Sequence, residues 1–278
     1  MLAGSTIESD VANGGNMLDD VTISKAITES FMKDFMEAME VDVAIGGAGP
    51  AGMTAAYYLA REGVKTVVFE RQLRVGGGMP GGGMMFNRIV VQDEGKTLLD
   101  EFNVATKEYE NGYYIADSLE AVSTICSKTI KAGARIFNLI SVEDVMIRED
   151  DRVTGLVLNW SAASLAKLHV DPLTMQAKLV IDATGHASEI CQIVVNKIGA
   201  KLRTKAGRVI GEKPMWAEVG ERAIIDNTQE VYPGLIVAGM AANAVFGAPR
   251  MGPIFGGMLL SGKRAAEVAM GILPRMKG

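Results

Sequence analysis

The sequence contains few of the residues that would mark a secreted, membrane or nucleic-acid-binding protein. It has only two cysteines, Cys126 and Cys191, which excludes a disulfide framework and makes a reducing cytoplasm the expected compartment. A net charge of −5 gives no basic excess for non-specific nucleic-acid binding. The first residues lack the basic segment and the apolar run of a secretory signal. Neither nucleic acid nor a membrane is therefore an expected partner.

Two long uncharged runs are nevertheless long enough to resemble membrane spans. Residues 43–60 carry no charge, and residues 231–262 carry one, Arg250. Both runs contain several glycines and at least one proline, which would interrupt a lipid-exposed helix. The sequence favours buried strands, turns and helices at both places.

Hydrophobic periodicity predicts an α/β fold. Apolar residues four positions apart predict an amphipathic helix over residues 22–39, after a flexible polar arm at residues 1–21. Residues 41–45 and 65–70 read as strands that flank a helix ending near Arg61, which completes a β-α-β unit. We expect one dinucleotide-binding domain over residues 22–278.

The rest of the chain predicts a parallel central sheet with a small antiparallel β element. Glycine occupies six of the eight positions 76–83, which predicts a loop whose backbone passes close to another group. The further predicted elements are a helix at 117–134, an antiparallel hairpin of strands 142–147 and 153–159, a strand at 178–182, a helix from about 188, a late parallel strand at 235–238 and a closing helix at 257–270.

The first strand of the β-α-β unit ends in a dinucleotide-binding motif. Gly47, Gly49 and Gly52 fit G-x-G-x-x-G, and they predict a tight turn, close approach of a pyrophosphate and close helix–strand packing. Glu70 ends the second strand, where a carboxylate binds ribose hydroxyls. The combination favours a nucleotide site over a glycine turn without a ligand.

This framework suits FAD as well as NAD. The ATG of residues 183–185 is also typical of two-dinucleotide-binding flavoproteins. In those proteins a late strand usually ends in Gly-Asp, whereas this chain has Gly239 followed by Met240. The missing carboxylate argues against a working flavoenzyme.

The two histidines of the chain suggest a metal site. His169, Asp171 and His186 offer imidazole and carboxylate donors, which suit a divalent transition metal such as iron(II). Their spacing alone is equally compatible with ordinary surface residues. Both alternatives stay open on the residues themselves.

Arg250 is the only charge in a long uncharged run. It is either an ion-paired core arginine or a clamp for a substrate carboxylate, which its planar guanidinium binds bidentately. An unpaired buried arginine would be costly, so we favour the clamp. The cysteines have no adjacent cationic residues and are expected to be structural.

Longer motifs give the chain a specific resemblance that extends from about residue 22 to the end. They are VDVAIGGAGPAG, FERQLRVGGGMPGGGMMFN, LHVDPLT, DATGH, VAGMAANAV and PRMGPIFGGMLLSG. With these motifs the chain closely resembles the thiamine thiazole synthase family in its archaeal, sulfide-using form. LHVDPLT and PRMGPIFGGM are much more specific than the glycine motif.

The resemblance implies a role for each matching residue. Iron(II) would be bound by His186 and by Asp171 from a neighbouring protomer, and Arg250 would bind the carboxylate of glycine. The family assembles as octamers, which implies a homo-oligomer with a shared metal site. Ala51 replaces the serine usual at its position, which removes one hydroxyl contact. The nucleotide contacts would fall on Ala51, Glu70, Arg71, Gly78, Val142 and Met240.

His169 implies the subclass. Eukaryotic relatives have a cysteine there, give up its sulfur and are consumed in one turnover, so a histidine implies free sulfide and repeated turnover. The implied substrates are NAD, glycine and sulfide. NAD loses nicotinamide, the ADP-ribose opens and isomerises to a ketone, and glycine condenses with it. Addition of sulfide and ring closure with loss of water then give the ADP-thiazole carboxylate precursor of thiamine.

Three alternatives stay open at this point. The glycine motif, Glu70 and ATG also suit a flavin-dependent oxidoreductase. Sugar isomerisation is a partial step of the implied reaction, so a ribose-phosphate isomerase acting on ribose 1,5-bisphosphate is a second. The third is a non-enzymatic NAD-sensing protein, in which Arg250 and the histidines would have no role.

Overall fold

A computed structural model of the chain describes residues 18–148 and 150–276, so residues 1–17 of the predicted arm lie outside the described part. Helix α1 (Asp20–Glu37) begins two residues before the predicted start and ends two before the predicted end. The earlier start follows from Asp19, whose carboxylate accepts a hydrogen bond from the Thr22 backbone N–H at 2.7 Å and caps the helix.

Helix α1 and the rest of the chain form two separate compact units, with the boundary between Glu37 and Ala38. Within α1 the Phe31 and Phe35 rings stack with centroids 5.6 Å apart. The interpretation of residues 22–278 as one domain stays a prediction.

The second unit alternates strands and helices. Its strands and helices are β1 (Glu40–Gly46), α2 (Pro50–Arg61), β2 (Thr66–Glu70), β3 (Arg88–Val91), α3 (Asp93–Glu101), β4 (Thr106–Glu110), β5 (Tyr113–Asp117), α4 (Ser118–Lys131), β6 (Arg135–Asn138), β7 (Ile140–Arg148), β8 (Arg152–Trp160), α5 (Ser161–Leu165), β9 (Leu173–Asp182), α6 (Glu189–Ile198), α7 (Ala217–Asn227), β10 (Glu230–Tyr232), β11 (Leu235–Val237), α8 (Met240–Phe246) and α9 (Gly256–Ile272). Short 3₁₀ turns occupy Met79–Gly81, Gly185–Ala187 and Leu273–Met276.

The main sheet has eight strands among the described residues, and its centre is parallel. The order is β10-β11-β9-β1-β2-β6, in which β10 alone runs antiparallel to its neighbour. Strand β1 pairs with β2 from Val43 opposite Thr66, which confirms the predicted β-α-β unit. The late strand β11 lies parallel to β9, also as predicted.

Strand β9 is twice as long as the predicted strand at 178–182. Its first half pairs antiparallel with β8, from Leu173 opposite Leu158 to Gln176 opposite Gly155. Here exposed and buried residues alternate, so the uninterrupted apolar run that signals a buried strand starts only later. The predicted 142–159 hairpin is confirmed as β7–β8, and through β9 it joins the main sheet.

A second, three-stranded antiparallel sheet was not predicted. It has the order β3-β5-β4. The glycine-rich segment at 76–83 is a loop as expected, although it contains the 3₁₀ turn at Met79–Gly81.

The parallel strands and the helices packed on them form the core. Helix α2 packs against α4 and α9, and its Met53 and Leu59 are fully buried together with Val43 and Ile45 of β1. This packing aims the carboxyl ends of β1, β2, β9 and β11 at one edge of the sheet. No helix in the described part of the chain is both long enough and apolar enough to cross a membrane.

Candidate dinucleotide and substrate site

A cavity of about 620 Å³ lies at the carboxyl ends of the parallel strands. In open α/β sheets, ligands bind at this edge. The cavity brings together most of the predicted site residues, namely Gly47, Gly49, Ala51, Glu70, Arg71, Gly78, Val142, His186, Met240 and Arg250.

The three glycines of the first turn have the three predicted environments. Gly47 has a φ of +98°, and a Cβ there would lie 2.4 Å from the Ala183 carbonyl oxygen. Gly52 packs so closely that a Cβ would lie 2.0 Å from the Gly47 carbonyl oxygen. Gly49 lines the cavity, and a Cβ built on it would have no atom within 4 Å. The turn thus leaves its open face where a ligand can approach the backbone.

The amino end of α2 faces the same cavity. Gly49 is its N-cap and supplies no side-chain hydrogen bond, and Pro50 and Ala51 line the cavity. The first backbone N–H groups of a helix have no partner within the helix, and the helix dipole adds a partial positive charge there. This end therefore suits a phosphate group.

The Glu70 carboxylate is buried at the end of β2. One oxygen accepts from the Ala48 backbone N–H at 2.9 Å and the other from the Gln72 backbone N–H at 2.9 Å. Each carboxylate oxygen has a second lone pair. Glu70 is thus held rigidly while it keeps acceptor capacity for sugar hydroxyls.

Arg71 forms an ion pair with Glu189, and both line the cavity. Burial raises the pKa of the Glu189 carboxyl group, and the Arg71 charge opposes that shift. Sequence reasoning missed Glu189. Its only local signal was an acidic residue in the first turn of α6.

His186 occupies the 3₁₀ turn that follows β9, and its side chain is 52% exposed. Its Nδ1 lies 2.6 Å from Oε1 of Glu212, a carboxylate that is only 15% exposed. This contact leaves Nε2 of the imidazole available to another group. Sequence reasoning missed Glu212, which lies in an irregular segment without a motif.

Arg250 lies at the cavity with its side chain 58% exposed, so the alternative of a buried core arginine is wrong. Its Nε lies 3.8 Å from Oε2 of Glu212. The exposure follows from the irregular loop between α8 and α9, which carries Arg250 to the mouth of the cavity. Its role as a carboxylate clamp stays a prediction.

His169 and Asp171 lie elsewhere. Both are exposed in the loop between α5 and β9, and neither lines the cavity that contains His186. Within residues 18–148 and 150–276, no group of three His, Cys, Asp or Glu side chains is placed to hold a metal ion. One copy of the chain therefore does not assemble the predicted metal ligands by itself.

The two cysteines lie in the positions expected of structural residues. Cys191 is fully buried in α6, and Cys126 is half-buried in α4. Burial raises the pKa of both thiols. A raised pKa disfavours the reactive thiolate.

Comparison with known proteins gives one consistent family. The sequence profile of the Thi4 family matches residues 24–255. The thiamine thiazole synthase of Methanothermobacter thermautotrophicus is 63% identical over 251 residues, which are 90% of this chain and 97% of that protein. The thiamine thiazole synthase of Pyrococcus furiosus is 56% identical over 250 residues, 90% of this chain and 96% of that protein.

A solved structure agrees with these relatives. The crystal structure of Thermovibrio ammonificans THI4 superposes with a TM-score of 0.91 at 50% sequence identity. The match covers 93% of this chain and all of that one.

Proposed function

Because the chain belongs to the Thi4 family, we propose that it is a sulfide-dependent thiamine thiazole synthase. The enzyme makes the ADP-thiazole carboxylate precursor of thiamine from NAD, glycine and free sulfide. One observation carries the proposal: a single cavity contains the nucleotide-binding turn, Glu70, His186 and Arg250.

The cavity divides into a nucleotide end and a reaction end. The glycine turn and the amino end of α2 suit the pyrophosphate of NAD, and Glu70 has acceptor capacity for ribose hydroxyls. Arg250 supplies a guanidinium for the carboxylate of glycine at the mouth of the same cavity. NAD is thus a substrate whose sugar becomes part of the product.

The donor chemistry of the site fits iron(II) only if two copies of the chain contribute. His186 has its Nδ1 on a carboxylate, the arrangement usual for metal-binding imidazoles. The predicted second ligand, Asp171, lies outside this cavity. A second copy of the chain therefore supplies Asp171 in this proposal. Iron(II) bound there would contribute Lewis-acid activation and a binding position for sulfide.

The environment of the cysteines supports free sulfide as the sulfur source. His169 has no sulfur to donate, and Cys191 is fully buried. Both thiols have a raised pKa, which lowers their nucleophilicity. The enzyme therefore survives each reaction and turns over repeatedly.

The proposed protein is a homo-oligomer, an octamer by family resemblance, that works in the cytoplasm. A shared metal site requires at least two copies in contact. The two free thiols suit a reducing compartment.

Oxygen-free incubation of the protein with NAD, glycine, sulfide and iron(II), followed by mass analysis of the small molecules, tests the proposal. The expected product is the ADP-thiazole carboxylate, and it should disappear when any one component is omitted. Intact NAD in the complete mixture would contradict the proposal. A bound yellow flavin without sulfide-dependent product would indicate an oxidoreductase, and turnover of ribose 1,5-bisphosphate alone an isomerase.

A further inference from the structure

Glu212 contacts both functional groups at the reaction end of the cavity. Its Oε1 lies 2.6 Å from Nδ1 of His186, and its Oε2 lies 3.8 Å from Nε of Arg250. Its side chain is only 15% exposed, whereas more than half of each partner is exposed. One sheltered carboxylate thus faces the proposed metal ligand with one oxygen and the proposed glycine-binding group with the other.

Backbone hydrogen bonds on both sides hold Glu212 in place. The Gly211 N–H donates to the Ala244 carbonyl oxygen at 2.9 Å, and the Arg250 N–H donates to the Lys213 carbonyl oxygen at 3.2 Å. The residues before and after Glu212 are therefore tied to the segment that carries Arg250. This bracing fixes the position of the carboxylate relative to the guanidinium.

The chemistry of the two contacts gives them a direction. An ionised carboxylate only accepts hydrogen bonds, so Nδ1 of a neutral His186 carries the ring proton and Nε2 carries the free lone pair. The contact with Arg250 is made at Nε, which leaves both Nη nitrogens available for a substrate carboxylate.

We propose that Glu212 is a positioning residue that fixes the metal-binding tautomer of His186 and aims the guanidinium of Arg250 into the cavity. This inference rests on the proposed function for the identities of the metal and the substrate. The tautomer itself can be measured without either.

The first test uses the fact that the chain has only two histidines. With ¹⁵N-labelled histidine, the metal-free protein gives one set of ring nitrogen resonances for His186 and one for His169, which serves as an internal reference. We expect His186 to be protonated at Nδ1 in the wild type and to lose this preference in Glu212→Ala, with His169 unchanged. Protonation at Nε2 in the wild type, or an unchanged His186 spectrum in the variant, would overturn the inference.

Glu230 offers a matched control. It is similarly sheltered, 18% exposed, and pairs with Arg203, and it does not line the cavity. Glu230→Ala should leave the His186 resonances unchanged. A change as large as that in Glu212→Ala would show a general effect of removing a sheltered carboxylate and would contradict a specific role.

The second test measures cobalt(II) binding by absorption and the KM for glycine. We expect Glu212→Ala to bind cobalt(II) about 10- to 100-fold more weakly than the wild type, with an increased KM for glycine and unchanged NAD affinity. Glu212→Gln keeps an acceptor oxygen for Nδ1 and loses the charge facing Arg250. It should retain the Nδ1 tautomer while the KM for glycine rises.

The outcomes separate this inference from the proposed function. A wild-type protein that binds no cobalt(II) contradicts the metal-dependent function. Normal cobalt(II) binding and an unchanged KM for glycine in the Glu212 variants overturn only the inference. If Glu212→Ala does not fold, the divergent behaviour of tautomer and KM in Glu212→Gln decides the matter.

Discussion

At the scale of single residues, the three glycines of the nucleotide-binding turn differ in what surrounds them. Gly52 is confined by backbone, with the Gly47 carbonyl oxygen 2.0 Å from where its Cβ would be. Gly49 is open, with no atom within 4 Å of the same position. This difference separates a packing role from a ligand-facing role.

Gly52→Ala should destabilise the protein by at least about 2 kcal/mol, because the new methyl group meets backbone that cannot move without shifting the turn. For a chain of this size we expect a Tm lower by roughly 4 °C or more, measured by circular dichroism.

Gly49→Ala is the matched control. Its φ of −76° is accessible to alanine, so the Tm should stay close to that of the wild type. NAD affinity should fall, because the methyl group projects into the cavity. A large loss of Tm in Gly49→Ala, or none in Gly52→Ala, would contradict this assignment.

At the scale of elements, helices α7 and α9 meet at a buried carboxyl group. Oε1 of Glu221 on α7 accepts from the Gly257 backbone N–H at 2.6 Å, at the amino end of α9. Oε2 is buried and has no hydrogen-bond partner among the described residues. Burial raises the pKa of the Glu221 carboxyl group above its ordinary value of 4.5.

This raised pKa predicts a pH-dependent stability. Between the ordinary value of 4.5 and the raised pKa, the folded state binds more protons than the unfolded state, so stability falls as pH rises through this interval. Glu221→Gln removes the titration. The stability of this variant relative to wild type should therefore increase with pH across the interval and then level off.

Urea unfolding from pH 4 to pH 8 measures this difference. Glu218→Gln is the control, because Glu218 lies on the same helix with its side chain 64% exposed. Its stability relative to wild type should vary much less with pH. A difference between Glu221→Gln and wild type that does not change with pH would contradict the account.

The strands that were predictable from sequence are those buried on both faces. Strand β2 has no exposed residue, and its apolar run identified it. Strand β4, with the sequence TKEYE, is almost wholly exposed, so no apolar pattern distinguishes it from a surface loop. The three-stranded sheet was missed for this reason.

The site was predictable where its residues follow one another in a motif. The glycine turn and Glu70 belong to one β-α-β unit, and their arrangement is fixed by that unit. Glu212 lies 26 residues from His186, and Glu189 lies 118 residues from Arg71. These pairs meet through tertiary packing, which leaves no local signal in the sequence.

At the scale of the whole molecule, the proposed site needs two copies of the chain. His186 and Arg250 line one cavity, whereas Asp171 lies in an exposed loop outside it. The same loop carries exposed apolar side chains, Leu165 at 84% and Leu168 at 64%. Exposed apolar residues around Asp171 are consistent with a loop that docks on a second copy.

Mixing two inactive variants tests this sharing. His186→Ala and Asp171→Ala should each be inactive as pure proteins. After dissociation and reassembly together, about a quarter of the sites should combine an intact His186 with an intact Asp171 from the neighbouring copy and regain activity.

His186→Ala mixed with Arg250→Ala is the control, since both residues line the cavity of the same chain. This mixture should stay inactive. Recovery in the control, or none in the first mixture, would contradict a site shared in this way.

The central claim is that the protein builds sulfur from free sulfide into its product and remains intact. The most direct measurement supplies heavy-isotope sulfide with NAD, glycine and iron(II) in the absence of oxygen, and then records the mass of the product and of the whole protein. The account predicts several molecules of labelled product per chain and an unchanged protein mass. Unlabelled product in no more than one copy per chain, with the protein lighter by one sulfur atom, would contradict it.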